Sequence, residues 1–219
     1  ALYEENTLIA GLGKDSMLRY VIGAWLLCVF YRTRVDAMLH SAFQSGTLGS
    51  ILLRPHNLQL QFYAESLGAS VCRLVFSILP IIILVSIGVD IPWELTARTT
   101  SMLCLMGMIA HLLAFSLAWC VGILGWLTQH GEGFIRLKVL AVISLGGALI
   151  PLPLYPNWLQ DIALMLPFSS LSHLPALELA HGTWHPELIT APILWSVLFI
   201  SIGHWMFKRS VHTWVVQGG

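Results

Sequence analysis

The stretch VDAMLHSAFQSGTLGSILLRP, residues 35–55, is a polar interlude between two strongly hydrophobic segments, and it decides the fold. Apolar side chains recur in its first half at the spacing of one helix face: Val35, Met38, Leu39, Ala42 and Phe43. Polar side chains fill the other face: Asp36, His40, Ser41, Gln44 and Ser45. The pattern predicts a short amphipathic helix.

Gly46 is predicted to end this helix, because glycine tolerates the left-handed conformation common at helix C-termini. Thr47 is predicted to cap a second short helix that carries Leu48, Ile51 and Leu52, and Arg54-Pro55 ends it. A short amphipathic helix between two membrane segments is typical of a docking site. We therefore expect another protein to bind here.

The composition is that of an integral membrane protein. Of 219 residues, 57% are hydrophobic and 10% charged, and the mean hydropathy is +0.78. Soluble domains carry roughly 25% charged residues. The formal net charge is zero, so nothing favours nucleic-acid binding. The four cysteines lie in apolar runs without a CxxC pair, which favours buried thiols over a zinc site or a disulfide framework.

Five segments approach the roughly 20 apolar residues that a membrane-spanning helix needs. They are Met17–Tyr31, Gly68–Val89, Met102–Leu127, Val139–Leu154 and Leu188–Phe207. The chain is thus predicted to be a single all-α transmembrane domain over residues 1–219. One further span before Ala1 is expected, which would make six.

The basic residues predict the orientation. One side collects most of them: Arg32, Arg34, Arg54, Arg73, Arg136, Lys138, Lys208 and Arg209. Because cytoplasmic loops are enriched in Lys and Arg, this side is predicted to be cytoplasmic. The interlude at 35–55 then lies in the cytoplasm.

The segment 155–187 is predicted to lie outside, yet it is too apolar for a free loop. It contains Trp158, and then Pro167 and Phe168, which favours two short helices broken at Pro167. They would either re-enter the outer leaflet or lie flat on it, and the sequence leaves both interpretations open.

Residues that carry chemistry are sparse. Gly11-Leu12-Gly13-Lys14 lacks the first glycine and the Ser or Thr of a phosphate-binding loop. His181 and His185 do not form a regular metal-binding pair, and we predict neither a metal site nor catalytic residues. His111 falls inside the third span, where an ionisable group suggests a translocation path. The competing interpretation is a neutral histidine hydrogen-bonded to a neighbouring helix.

Three local patterns are similar to those of a known family. They are Leu8-Ile9-Ala10-Gly11 with Met17-Leu18-Arg19-Tyr20, Gln44-Ser45-Gly46-Thr47-Leu48 with Leu52-Leu53-Arg54-Pro55, and Tyr155-Pro156-Asn157-Trp158-Leu159 with Leu166-Pro167-Phe168 and Pro175-Ala176. Together and in this order, they resemble the membrane subunits of ATP-binding-cassette exporters of the type-2 (ABC-2-like) permease class. The resemblance covers nearly the whole chain.

The resemblance implies a complex of two permease subunits, identical or related, with two nucleotide-binding subunits. ATP and Mg²⁺ would be bound by those partner chains, and this chain would hold no cofactor. It also implies a multi-pass protein of a bacterial-type cytoplasmic membrane. ATP hydrolysis in the partner would drive alternating access and export.

In that family the segment equivalent to 35–55 contacts the ATPase subunit. The resemblance implies this role for Met38, Leu39, Phe43, Gln44, Ser45, Gly46, Thr47, Leu48 and Arg54. Phe43→Asp is expected to uncouple transport without preventing membrane insertion. The few charges within the spans favour an amphiphilic or hydrophobic substrate.

Two other functions stay open at this stage. One is an intramembrane lipid-modifying enzyme built around His111 and the external segment. The other is a membrane scaffold, in which the interlude serves only as an interfacial anchor.

Overall fold

The computed structural model describes residues 12–53, 57–87, 96–128, 130–183 and 185–211. Within these ranges the regular structure is almost entirely helical. The helices are α1 Lys14–Tyr31, α2 Val35–Gln44, α3 Leu48–Leu52, α4 Leu58–Ser86, α5 Ala97–Thr128, α6 Gly131–Leu145, α7 Asn157–Met165, α8 His173–His181 and α9 Thr190–Val211.

The long helix α5 forms the centre of the fold. Its sequence is apolar on all sides, and such a helix is stable only when neighbours cover it. Helices α1, α2, α6 and α9 pack around it. Leu113, Phe115 and Trp119 of α5 are almost completely buried. Gly203 of α9 faces Trp119, and the missing side chain there lets the two helices approach closely.

Three helical stretches are long and apolar enough to cross a membrane: Leu58–Ile83, Ala97–Thr128 and Pro186–Ser210. They overlap the second, third and fifth predicted spans, although the first begins at Leu58 rather than at the predicted Gly68. The described part of the chain contains no further stretch of this kind, so the predicted count of five is not confirmed. Helix α1 has only 18 residues, and Lys14, Asp15 and Arg19 lie among them.

The helix predicted over Val139–Leu154 is wrong in its bounds. Helix α6 begins at Gly131 and ends at Leu145. Gly147 has a φ of 76°, which is incompatible with a continuing right-handed helix. A short 3₁₀ helix follows at Leu152–Leu154. Gly146 and Gly147 therefore end the helix.

Helices α2 and α8 lie near opposite ends of α5. Gly122, near the end of α5, lies against α2. Met106, near its beginning, lines a small cavity with Ser170 and Leu174 beside α8. At 1.5 Å per residue, these two α5 positions are about 24 Å apart along the helix axis. The segments 35–55 and 155–187 were predicted to lie on opposite sides of the membrane, and this separation is what that topology requires.

Candidate functional site

Helix α2 has the predicted bounds and ends as predicted. It spans Val35–Gln44, and Gly46 follows with a φ of 71°. The Gly46 N–H donates to the Phe43 carbonyl at 3.1 Å. Thr47 does precede α3, but it makes no side-chain cap. Its hydroxyl lies 2.9 Å from the Ser45 hydroxyl instead, so the predicted capping role is wrong.

The apolar face of α2 packs against the chain itself. Val35 is fully buried and Leu39 is 5% exposed, both in the core beside α5. A Cβ at Gly122 would lie 2.8 Å from Leu39 Cδ1 and 3.1 Å from Asp36 Cα. The absence of a side chain at Gly122 therefore lets α2 lie directly on α5. The rings of Phe43 and Trp126 meet at a centroid distance of 5.4 Å.

Two residues assigned to the polar face of α2 are buried, so that part of the prediction is wrong. The Asp36 side chain is 2% exposed and lies 2.5 Å from Lys138 Nζ of α6, whose side chain is 10% exposed. The other Asp36 oxygen accepts the Ala37 N–H at 3.0 Å. His40 packs over Gly131 at the start of α6, where a Cβ would overlap the imidazole ring. Tertiary packing against α6 thus outweighs the local polarity.

The opposite side of α2 is open. A groove with a volume of about 610 Å³ runs between the α2–α3 segment and the start of α4. Its apolar lining residues are Ala37, Met38, Ala42, Ile51 and Phe62, and its polar ones are Arg34, Ser41, Ser45, Thr47, Gln61 and Glu65. We call this feature the α2–α4 groove. It combines an apolar interior with polar side chains, as protein-binding surfaces do.

The residues predicted for docking differ in how much surface they offer a partner. Met38, Ser45 and Thr47 line the groove, and Gln44 is exposed beside it. Leu39 and Leu48 are each 5% exposed, so they offer a partner almost no surface. Phe43 is half-buried on Trp126, and Gly46 forms the turn. Arg54 lies outside the described residues.

His111 is fully buried where α1, α4 and α5 meet. Its Nε2 lies 3.4 Å from the Ser66 hydroxyl, which lies 2.8 Å from the Thr33 hydroxyl. The rings of Phe30 and Tyr63 are each 5.6 Å from the imidazole centroid. These contacts match the interpretation of a histidine that bonds to a neighbouring helix. Its place in a translocation path stays a prediction.

The segment 155–187 forms two short helices, α7 and α8, with the predicted break at Pro167. Pro167 is buried, Phe168 is half-buried and Trp158 is 65% exposed. The depth of the segment 155–187 in the membrane stays a prediction.

Helix α8 packs on α1 through Ala24, Ala176 and Ala180, and Tyr20 of α1 bonds both to His173 at the start of α8 and to Gly147 after α6. The Tyr20 hydroxyl donates to the Gly147 carbonyl at 3.1 Å and lies 2.8 Å from His173 Nδ1. With the hydroxyl proton on Gly147, His173 Nδ1–H is the donor to Tyr20.

The described residues contain no group of three or more His, Cys, Asp or Glu that could hold a metal ion. His181 ends α8, and Gly182 follows with a φ of 66°, so His181 and His185 do not share a helix. His185 Nδ1 instead lies 2.8 Å from Glu178 Oε1.

A protein-family model described as an ABC-2 family transporter protein matches residues 1–218. The chain belongs to the ABC-2 transporter family. No curated protein and no solved structure matches it. Membership supports a multi-pass membrane protein that is a permease subunit of an ABC transporter. The family consists of transport subunits that are generally non-catalytic, and membership implies association with an ABC ATPase subunit.

Sequence reasoning missed the Asp36–Lys138 ion pair, although a signal was present. Both residues were assigned to the same side of the membrane, and Lys138 directly precedes an apolar run. A buried lysine needs a counter-charge, and Asp36 was available on that side.

Proposed function

We propose that this ABC-2 family chain is the permease subunit of an exporter, and that the α2–α4 groove receives the ATPase subunit. Two permease subunits, identical or related, would assemble with two ATPase subunits that bind ATP and Mg²⁺. The chain would lie in a bacterial-type inner membrane, with the α2–α3 segment on the cytoplasmic side. Movement of the ATPase pair would then switch the bundle between inward- and outward-open states and export an amphiphilic substrate.

The division of α2 into two sides carries this proposal. One side is fixed to α5 and α6 through Leu39 and Asp36. The other side presents Met38, Ser45 and Thr47 to an open groove. A segment that served only as an interfacial anchor would instead keep its apolar face for lipid. Here Val35 and Leu39 of that face pack on protein, while Met38 and Ala42 line the groove, which favours docking over the scaffold alternative.

The first experiment tests whether an ATPase subunit associates with the chain. The full chain carries an affinity tag, is extracted in mild detergent, and its co-purifying proteins are identified by mass spectrometry. An ATPase subunit with a phosphate-binding loop, recovered in about equal amount, is the expected result. Recovery of the chain with no such subunit would remove the proposal.

Two matched variants then locate the contact. Ser41 is exposed in the groove, so Ser41→Trp fills it with little strain on the fold. Ser50 is exposed on α3 but does not line the groove. We expect Ser41→Trp to lower co-purification by about tenfold and Ser50→Trp to leave it near the unmodified level. Equal losses in both variants would place the contact elsewhere on the segment.

The enzyme alternative has no described contact in its favour. The Nε2 of His111 lies 3.4 Å from the Ser66 hydroxyl, which lies 2.8 Å from the Thr33 hydroxyl. A catalytic triad needs a base oriented by a third group beside a nucleophile, and the described contacts of His111 with Ser66, Phe30 and Tyr63 do not supply such a group.

A further inference from the structure

Helix α2 is attached to its surroundings unequally. It packs closely on α5 and contacts α6, whereas its side toward α4 opens into the α2–α4 groove. A rigid helix that is pushed carries with it whatever it is packed against most tightly. The question is therefore which transmembrane helices move when a partner moves α2.

Two contacts fix α2 to α5 and to α6. The first is steric: a Cβ at Gly122 would come within 3.2 Å of Leu39 Cβ, so the backbones of α2 and α5 approach closely. The second is electrostatic. Asp36 and Lys138 lie 2.5 Å apart with 2% and 10% of their side chains exposed, so water hardly screens their attraction.

The end of α5 and the start of α6 approach each other closely. A Cβ at Gly125 would lie 2.6 Å from the Gly131 Cα, so the last turn of α5 and the first of α6 meet backbone to backbone. His40 of α2 covers the same Gly131. The ends of α5 and α6 and the whole of α2 thus form one packed unit.

Resting on the function proposed above, we propose that α2 and the adjoining ends of α5 and α6 move as one rigid body, with Asp36 and Lys138 as the positioning residues that fasten α2 to α6. A displacement of α2 by the ATPase subunit then acts directly on the α5–α6 hairpin. Helix α4 lies across the groove; Leu58 and Phe62 at its start share a core with Leu39, and the rest of α4 is outside this body. The groove, rather than the α2–α5 contact, changes shape during the transport cycle.

A reversible cross-link tests the rigid body. Leu39→Cys removes the Cδ1 atom that crowds the Gly122 position, so Leu39→Cys with Gly122→Cys brings two Cβ atoms to 3.2 Å, slightly closer than the roughly 3.5–4.5 Å of a disulfide. The Asp36 Cα, 3.1 Å from the new Cβ, must shift by a few tenths of an ångström, and the unfolding temperature of the reduced protein checks that the pair is tolerated. The native cysteines Cys28, Cys72, Cys104 and Cys120 are replaced by alanine. ATP hydrolysis by the permease–ATPase complex is measured in lipid nanodiscs after oxidation and again after reduction.

We expect the oxidised complex to retain most of the ATP turnover of the reduced complex, because the bond joins parts that do not separate. Loss of turnover on oxidation, recovered on reduction, would overturn the rigid body. As a control that the assay senses movement, a thiol-specific bifunctional reagent joins Ser41→Cys to Gln61→Cys across the groove of the assembled complex. Each single-cysteine variant carrying the same reagent shows how much turnover is lost by filling the groove alone. We expect this link to lower turnover, and full turnover there would also count against the proposal.

The charge pair is tested without the cross-link. Asp36→Asn with Lys138→Met removes both charges and so avoids a buried unpaired ion. If the pair served only to stabilise the fold, this double variant would keep normal stability and normal coupling. We expect near-normal unfolding temperature with about tenfold lower permease-dependent ATP turnover, equivalent to about 1.4 kcal/mol of coupling energy.

Lys138→Arg keeps the charge and is expected to retain more turnover than the double variant. Normal turnover in the double variant would overturn the role of the pair. Absence of any co-purifying ATPase removes the proposed function and this inference together. A co-purifying ATPase with the opposite cross-linking pattern removes the inference alone.

Discussion

Helices α2 and α8, near the two ends of α5, are held in place by different interactions. At one end, an ion pair and close glycine contacts fasten α2 to α5 and α6. At the other end, α8 packs on α1 through Ala24, Ala176 and Ala180, and Tyr20 adds neutral hydrogen bonds. A buried ion pair that loses one partner costs about 3–5 kcal/mol, whereas a buried neutral hydrogen bond that loses one partner costs about 1–3 kcal/mol. The α2 end is therefore expected to be the more sensitive to single substitutions.

The largest effect is expected for Lys138→Met alone, which leaves the Asp36 carboxylate buried and unpaired. Breaking a buried pair in this way costs about 3–5 kcal/mol, and Asp36→Asn alone should cost less because the longer lysine can reach water. Thermal unfolding in detergent measures both. Arg136, which pairs with Glu132 at the exposed surface, provides the control, since Arg136→Met is expected to change stability by less than about 1 kcal/mol. Equal effects at 136 and 138 would show that the Asp36–Lys138 pair is solvated.

Gly131→Ala is expected to have the next largest effect. A methyl group there overlaps the His40 ring, and overpacking typically costs about 1–3 kcal/mol. Gly133, two residues further along α6, has open space around its Cβ position. Gly133→Ala should therefore be neutral or stabilise α6 by up to about 1 kcal/mol, through helix propensity alone. The difference in unfolding temperature between the two variants measures the contact of α2 with α6.

Local rules predicted the features that depend on a few neighbouring residues. The bounds of α2, its end at Gly46 and the break at Pro167 each follow from spacing or from one residue type. The burial of Asp36 and His40 could not be predicted in this way. It depends on where the α5–α6 turn lies, and that turn is about 90 residues further along the chain.

The same distinction applies to the docking residues. Sequence spacing places Met38, Leu39 and Phe43 on one face, but it does not say what covers that face. The structure buries Leu39 on α5 and leaves Met38 in the groove. Phe43 rests on Trp126. An effect of Phe43→Asp on coupling would thus arise partly inside this chain, which makes Ser41→Trp the cleaner test.

At the α8 end, Tyr20→Phe removes one hydroxyl and leaves the Gly147 carbonyl and His173 Nδ1 without their partner. The expected loss is roughly 1–2 kcal/mol, smaller than that of Lys138→Met, because all three groups are neutral. Tyr155 offers a matched control, since its hydroxyl donates to the Ser144 carbonyl at an exposed position. Tyr155→Phe should lose at most about 0.5 kcal/mol. A loss at Tyr20 as large as at Lys138 would erase the contrast between the two ends.

The smallest effect is expected at the loop after α8, where it depends on pH. Hydrogen bonding to Glu178, then the charge of Glu178 and more weakly that of Glu187, raises the pKa of His185 above its usual value. A group whose pKa is raised on folding stabilises the fold fully below its unfolded pKa, about 6.5 for histidine. This stabilisation is lost as the pH rises through the raised value. Wild type should therefore exceed His185→Asn in unfolding temperature below about pH 6, and the difference should shrink toward alkaline pH. The imidazole is solvent-exposed, so the difference should also weaken with added salt. A difference that stayed constant with pH would show that only the neutral hydrogen bond to Glu178 contributes.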